Sequence, residues 1–110
     1  MTDTQTTVVH VHAEYDIYIG RAMRYPNIKD PRIRAGSILA NPFRIKDQRG
    51  TPTEQRGRAI ALYALYADLR MQSDPEFADA VRASKGKRLG CWCAPGACHG
   101  QVIAQMADKE

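Results

Sequence analysis

An α/β fold, a single compact domain whose small sheet is covered by helices in a Rossmann-like way, is what this sequence predicts, on three observations. Short β-branched or aromatic runs stand at 8–12, 15–20 and 87–93. Two helix-start signals fall between the second and third of these runs. The last run passes through a Pro-Gly turn into a final segment with helical apolar spacing. The element order is then β-β-α-α-β-α.

Residues 1–7 are polar, with neither a basic n-region nor an apolar h-region, and read as a disordered tail ahead of a domain at 8–110. Val8, Val9 and Val11, set against His10 and His12, predict the first strand. Tyr15-Asp16-Ile17-Tyr18-Ile19-Gly20 is the clearest strand, closed by glycine, with Arg21 at its C-terminal end. A guanidinium there either caps a carboxylate or binds an anionic ligand, and its forked donors suit both. Residues 22–50 hold Pro26, Pro31 and Pro42 and no helical period, so a basic loop is expected; a run of that length is usually functional or mobile. Within it Pro42 holds Asn41 extended. Phe43 is placed either to anchor the loop to the core, the blander reading, or to stack on a base.

Thr51 as N-cap, Pro52 at the first helical position and Glu54 as reciprocal partner predict a helix start. Ala59, Leu62, Tyr66 and Leu69, with Ile60 and Tyr63 beside them, form its apolar stripe to about Met71. Gly57 costs this helix ~1 kcal/mol relative to alanine. Ser73 and Glu76 repeat the cap pattern for a short helix through Phe77, Ala80 and Val81, stopped by Gly86. A strand over 87–93, a turn at Pro95-Gly96 and a helix over 98–108 complete the chain. Parallel pairing of the first and last strands would carry Arg21 toward the cysteines.

At 110 residues the chain forms one domain able to bury a core unaided. It contains no run of eighteen apolar residues, so no membrane span is expected. Three cysteines, an odd number, argue against a disulfide framework and for a reducing, cytoplasmic setting. The net charge is a modest +4, yet eight of the sixteen basic residues lie in 21–49 beside only two acids. That segment fits a nucleotide or nucleic-acid partner, or it is a solvated loop that aids solubility.

All three cysteines and the single tryptophan fall within 91–98, with His99 next in sequence. Cys91 and Cys93, two apart on an extended backbone, share a side. Three readings stay open. Cys91, Cys93, Cys98 and His99 suit zinc by ligand type, although C-x-C-x4-C-H departs from paired C-x2-C knuckles. Alternatively Cys98, at a helix N-terminus beside His99, is a catalytic thiolate in a pocket whose helix end also offers amides to an anion. Finally, the cysteines are small hydrophobes and His99 caps a helix. A pocket at the strand ends is predicted from Arg21, Asn41, Cys91, Cys93, Cys98 and His99, with Phe43 as a further ligand contact. The leading reading is a protein that binds or processes a nucleotide or nucleic acid. The alternative is a non-catalytic zinc-stabilised module that binds nucleic acid or protein through its basic loop.

Tyr15 to Arg21, Asn41-Pro42-Phe43, Gly50-Thr51 with Glu54 and Tyr63, and Gly86 to Pro95 with Cys98-His99-Gly100 together resemble a family. It is that of the uncharacterised bacterial and phage proteins grouped as domain of unknown function 4326. The Cys-Trp-Cys and Cys-His-Gly pair is the specific part of the resemblance, which spans 15–103. The link from Ala22 to Ala40 is longer and more basic than the family's short Trp-containing one, and Ala40 stands in place of a glycine. The resemblance implies a small α/β domain and, through its occurrence in phages, a role in nucleotide or DNA metabolism.

Overall fold

The computed structural model describes residues 5–94 and 96–110. Three strands, β1 (Thr7–His10), β2 (Ile17–Tyr18) and β3 (Arg88–Cys91), form a parallel sheet in the order β1–β3–β2. The pairing of first and last strands expected from the sequence is present, with Thr7 opposite Arg88 and His10 opposite Cys91. Helix α1 spans Pro31–Ala35, and a single 3₁₀ turn follows at Ile45–Asp47. Then come α2 (Pro52–Ser73), α3 (Pro75–Ala83) and α4 (Gly100–Asp108). Small, parallel and α/β is therefore the architecture. The step from β1 to β2 carries no helix, however, so the alternating order of a Rossmann-like sheet is not what the described residues show.

Period-2 alternation sorts each strand between two cores. Val8, Ile17, Ile19, Leu89 and Cys91 face one side and pack with Tyr63, Ala67, Phe77, Val81, Ile103 and Ala107 from α2, α3 and α4. Val9, Tyr18 and Trp92 face the other, against Val11, Tyr15, Met23, Ile28 and Ile33. Helices thus line one face, whereas irregular chain and the short α1 line the second.

The capping box of α2 forms as its residues predict. Thr51 Oγ1 accepts from the Glu54 amide at 3.2 Å, and Glu54 Oε1 accepts from the Thr51 amide at 2.9 Å. At the next boundary the expected Ser73 cap is displaced by one residue. Asp74 Oδ1 accepts from the amides of Glu76 and Phe77, while Ser73 stays inside α2 and bonds back to the Leu69 carbonyl at 2.9 Å. The carboxylate wins because it also pairs with Arg70 one turn back, a charge-assisted contact a hydroxyl does not make.

The strand predicted over 15–20 has two regular residues, and its backbone stays bonded to β3 on either side of them: the Asp16 amide donates to the Arg88 carbonyl at 2.8 Å and the Ile19 amide to the Gly90 carbonyl at 3.1 Å. The Asp16 carboxylate also receives the Arg88 amide at 2.8 Å and its guanidinium at 3.0 Å. The loop expected over 22–50 contains α1, capped by Asp30, whose carboxylate also accepts from the Tyr15 hydroxyl at 2.5 Å. At the N-terminus, Thr6 and Thr7 belong to the domain and not to the tail expected there. Thr7 opens β1, and the buried Thr6 hydroxyl donates to Asp108 at 2.6 Å while accepting from the Gly86 amide at 2.9 Å. Residues 1–4 of the proposed tail, and Pro95 of the predicted turn, lie outside the described residues.

These carboxylates set an acid limit. The Arg88 guanidinium, and then the Arg88 amide, pull Asp16 from an ordinary 3.8 to about 2. Asp30 is held below the usual range chiefly by Arg32, and Asp74 by Arg70. Each folded-state value lies below its unfolded one. Their stabilisation is therefore complete above about pH 4 and is lost as pH falls toward 2. Thermal melts should drop below pH 4 through these carboxylates, on top of the gentler loss below about pH 6.5 expected of His99, whose pKa burial lowers, and Asp16→Asn should flatten part of the drop below pH 4.

Candidate functional site

Parallel strands deliver their C-terminal ends to one edge of the sheet, the place where open α/β sheets leave room for ligands. Here that edge carries Tyr18 with the following Ile19-Gly20-Arg21, and Cys91 with the following Trp92-Cys93. A turn, in which the Gly96 amide donates to the Cys93 carbonyl at 2.8 Å, redirects the chain to α4. His99 occupies the N-cap of α4. Strand ends and helix start thereby converge on one cleft of about 400 Å³.

The floor of the cleft is sulfur and imidazole. The Sγ atoms of Cys91 and Cys98 and a ring nitrogen of His99 all lie within 4.8 Å of one another, and all three residues are buried. Cys98 Sγ accepts from the Gly100 amide at 3.3 Å and from the Cys91 thiol, which lowers its pKa. The same thiol contact, joined by burial, pushes Cys91 up. His99 Nε2 lies 2.8 Å from the Ile19 carbonyl oxygen. A carbonyl only accepts, so Nε2 carries the proton and Nδ1 keeps the lone pair. Burial lowers the His99 pKa and keeps the ring neutral at neutral pH. The lowered Cys98 pKa is accounted for first by the Cys91 thiol and then by the Gly100 amide. The three side chains could hold a metal ion.

Cys93, expected as a fourth ligand, stands outside that group. Alternation keeps it on the side of Cys91, packed against the same core, but its sulfur is not among the donors that lie within 4.8 Å of one another. Cys93 is half-buried in the cleft wall, and its amide donates to Cys91 Sγ at 3.4 Å.

Arg21 reaches the same cleft from β2. Its Nε donates to the Asn41 carbonyl at 2.9 Å, and its own carbonyl accepts from the Tyr18 hydroxyl at 2.7 Å. The Tyr18 hydroxyl in turn accepts from Trp92 Nε1 at 2.9 Å, so this chain ties the end of β2 to the end of β3. Asn41 lines the cleft, although both ends of its amide are engaged. Nδ2 donates to the Ala59 carbonyl at 3.2 Å, and Oδ1 accepts from the Phe43 amide at 2.8 Å. Asn41 therefore sets the position of Arg21 and Phe43. Phe43 is both anchor and lining: its ring stands edge-on to Tyr66 at 5.9 Å, and its exposed part faces the cleft.

All seven residues singled out from the sequence line this one cleft. Tyr18, Trp92, Arg44, Lys46 and Arg56 line it as well, without having been singled out. Arg56 had a readable signal. It lies three, four and seven residues before Ala59, Ile60 and Tyr63, so it continues the apolar stripe of α2 past the edge of the core.

Fold and site together define a small parallel α/β domain with a thiol–imidazole cluster and a cationic cleft at the carboxyl edge of its sheet. The chain belongs to the family described as Domain of unknown function (DUF4326), whose model matches residues 3–109. It is similar to an uncharacterized 12.4 kDa protein in the nrdA-td intergenic region of Enterobacteria phage T4. The two are 28% identical over 95 residues, covering 83% of this chain and 82% of the phage protein. No solved structure matches the chain. Among the described residues no helix is long and apolar enough to cross a membrane.

Proposed function

We propose that the cleft binds the phosphate-bearing part of a nucleotide or of a nucleic acid. One observation carries this reading. Arg21, Arg44, Lys46 and Arg56 line the cleft, no described lining residue is an aspartate or glutamate, and none of the four cations takes part in an ion pair among the described residues. Four like charges around one hollow repel each other, and an anion placed among them reverses the sign of that energy. Phe43, Trp92 and Tyr18 add aromatic surface suited to a base. Three free thiols fit a reducing, cytoplasmic setting.

Trp92 is the only tryptophan and lines the cleft, so its emission reports occupancy directly. Titration with a short oligothymidylate and with a nucleoside monophosphate should each change that emission, and the tighter ligand identifies polymer or monomer as the natural class. Affinity for the oligonucleotide should fall with salt by a log–log slope of about −0.7 for each phosphate contact. Arg44→Ala combined with Lys46→Ala should reduce that slope by more than one. Binding that ignores salt, or that survives the double substitution and Arg21→Ala undiminished, would overturn the reading.

The cluster of Cys91, Cys98 and His99 favours a second reading, a zinc-stabilised module without catalysis in which the metal serves folding alone. Under that reading chelation should unfold the chain.

A further inference from the structure

We infer that Cys91, Cys98 and His99 form a three-ligand site for a zinc-class divalent cation whose fourth position opens on the cleft, where an oxygen of the anionic ligand completes the coordination. The three-ligand set stands on its own geometry; the choice of a phosphate oxygen as fourth partner rests on the anion-binding reading above.

Ligand chemistry comes first. Two thiolates and one imidazole are zinc ligands by type, and with Zn–S near ~2.3 Å and Zn–N near ~2.0 Å a tetrahedral ion holds its donors roughly 3.3–3.8 Å apart. The donor atoms here fall within 4.8 Å of one another, so closure on an ion asks for movements of about an ångström. Charge comes second. All three residues are less than a tenth exposed, and an ion at such depth is costly unless neutralised. A divalent cation with two thiolates and a neutral ring has no net charge. Support from behind comes third. The Ile19 carbonyl fixes the His99 ring through Nε2, leaving Nδ1 to ligate, and the Gly100 amide holds Cys98 Sγ.

The open position follows from the same placement. Cys91, Cys98 and His99 each line the cleft, and the remaining thiol, Cys93, lies beyond the end of β3 and outside the cluster. A closed structural site needs a fourth protein donor, whereas three protein donors facing a cavity leave one position for a ligand. Metal sites that activate water also keep a proton acceptor at hand, usually a carboxylate. No described residue of this cleft supplies one. A metal in this position anchors the anion among the four cations.

Cobalt reports this directly. The full chain, reduced and stripped with chelator, should take up one Co²⁺ and develop four-coordinate visible bands, with near-ultraviolet charge transfer amounting to two thiolates. Cys93→Ser should leave that spectrum intact, and Cys98→Ser should weaken uptake at least tenfold while far-ultraviolet circular dichroism checks that the variant folds. Should Cys98→Ser fail to fold, the thiolate count and the Cys93→Ser spectrum decide alone. Inorganic phosphate, and then a nucleoside monophosphate, should shift the visible bands. Loss of one thiolate's charge transfer in Cys93→Ser would show a closed site and overturn the inference, as would failure to bind Co²⁺. Visible bands blind to phosphate while Trp92 emission still responds would sink the open position and leave the anion-binding cleft standing. If neither probe responds, both readings fall together.

Discussion

Tyr63→Ala is expected to cost about 3–5 kcal/mol, the range for removing a buried aromatic side chain. Against a typical total of about 5–15 kcal/mol, that is a large part of the protein's stability. Tyr63 is fully buried, and its ring stands 4.8 Å from His99 and 5.7 Å from Tyr66. Its hydroxyl donates to the Leu39 carbonyl at 2.7 Å and so fastens the loop before Asn41 to α2. Burial raises the phenol far above its usual pKa, so it donates throughout the working range. Tyr63→Phe keeps the ring and removes only the donor, leaving the Leu39 carbonyl short of a partner at about 1–3 kcal/mol. Urea unfolding with an unchanged slope should rank the variants Ala, Phe, wild type, from least to most stable. Because Tyr63 backs both His99 and the Leu39–Asn41 segment, alanine should also weaken phosphate binding more than phenylalanine does. Equal losses for the two substitutions would assign the whole effect to the hydroxyl and deny the ring its role behind the cleft.

Much of this arrangement is legible in the residues. Thr51, Pro52 and Glu54 state the start of α2 because capping is local chemistry, complete within four residues. The meeting of Arg21 with the cysteines was legible too, since parallel strands put their C-terminal ends on one edge whatever lies between them. Where reading failed, a side-chain partner decided. Asp74 outbids Ser73 as a cap through Arg70, and sequence spacing alone does not rank a carboxylate against a hydroxyl one residue away. Asp30 starts α1 inside a proline-rich stretch because Tyr15 and Arg32 hold its carboxylate, and neither contact has a periodic trace. Cys93 keeps to the side of Cys91 that alternation predicts. Which sulfurs come within 4.8 Å of one another depends on the course of the chain beyond β3, which alternation does not describe. Arg44 and Lys46 were visible as charge without place, because a count of cations carries no direction.

The close approach at Gly90 is the other large dependence, and it couples the second core to the sheet. Gly90 sits in β3, paired on both sides, with Val9 opposite it in β1 and Tyr18 in β2. A Cβ there would meet Cγ and Cδ2 of Tyr15 at 2.7 Å, so the aromatic ring occupies the space a side chain would take. Neither partner has room to yield. The Tyr15 hydroxyl is held by Asp30, and the Arg32 guanidinium lies over the ring at 4.1 Å. The ladder fixes the backbone of β3 on both edges. Gly90→Ala is therefore expected to cost at least the ~1–3 kcal/mol of an overpacked core, and Gly90→Val enough to prevent folding at 37 °C. Tyr15→Ala alone should also destabilise, since it empties the centre of that core. In the double variant the two losses should not add: without the ring, the new methyl has space, and the pair should be more stable than the sum of the singles by about 1 kcal/mol or more. Strict additivity in urea melts would show that the clash is relieved elsewhere, by movement of the strand itself. That movement would reach Cys91, the next residue in β3, and the Co²⁺ spectrum of Gly90→Ala would then change along with its stability.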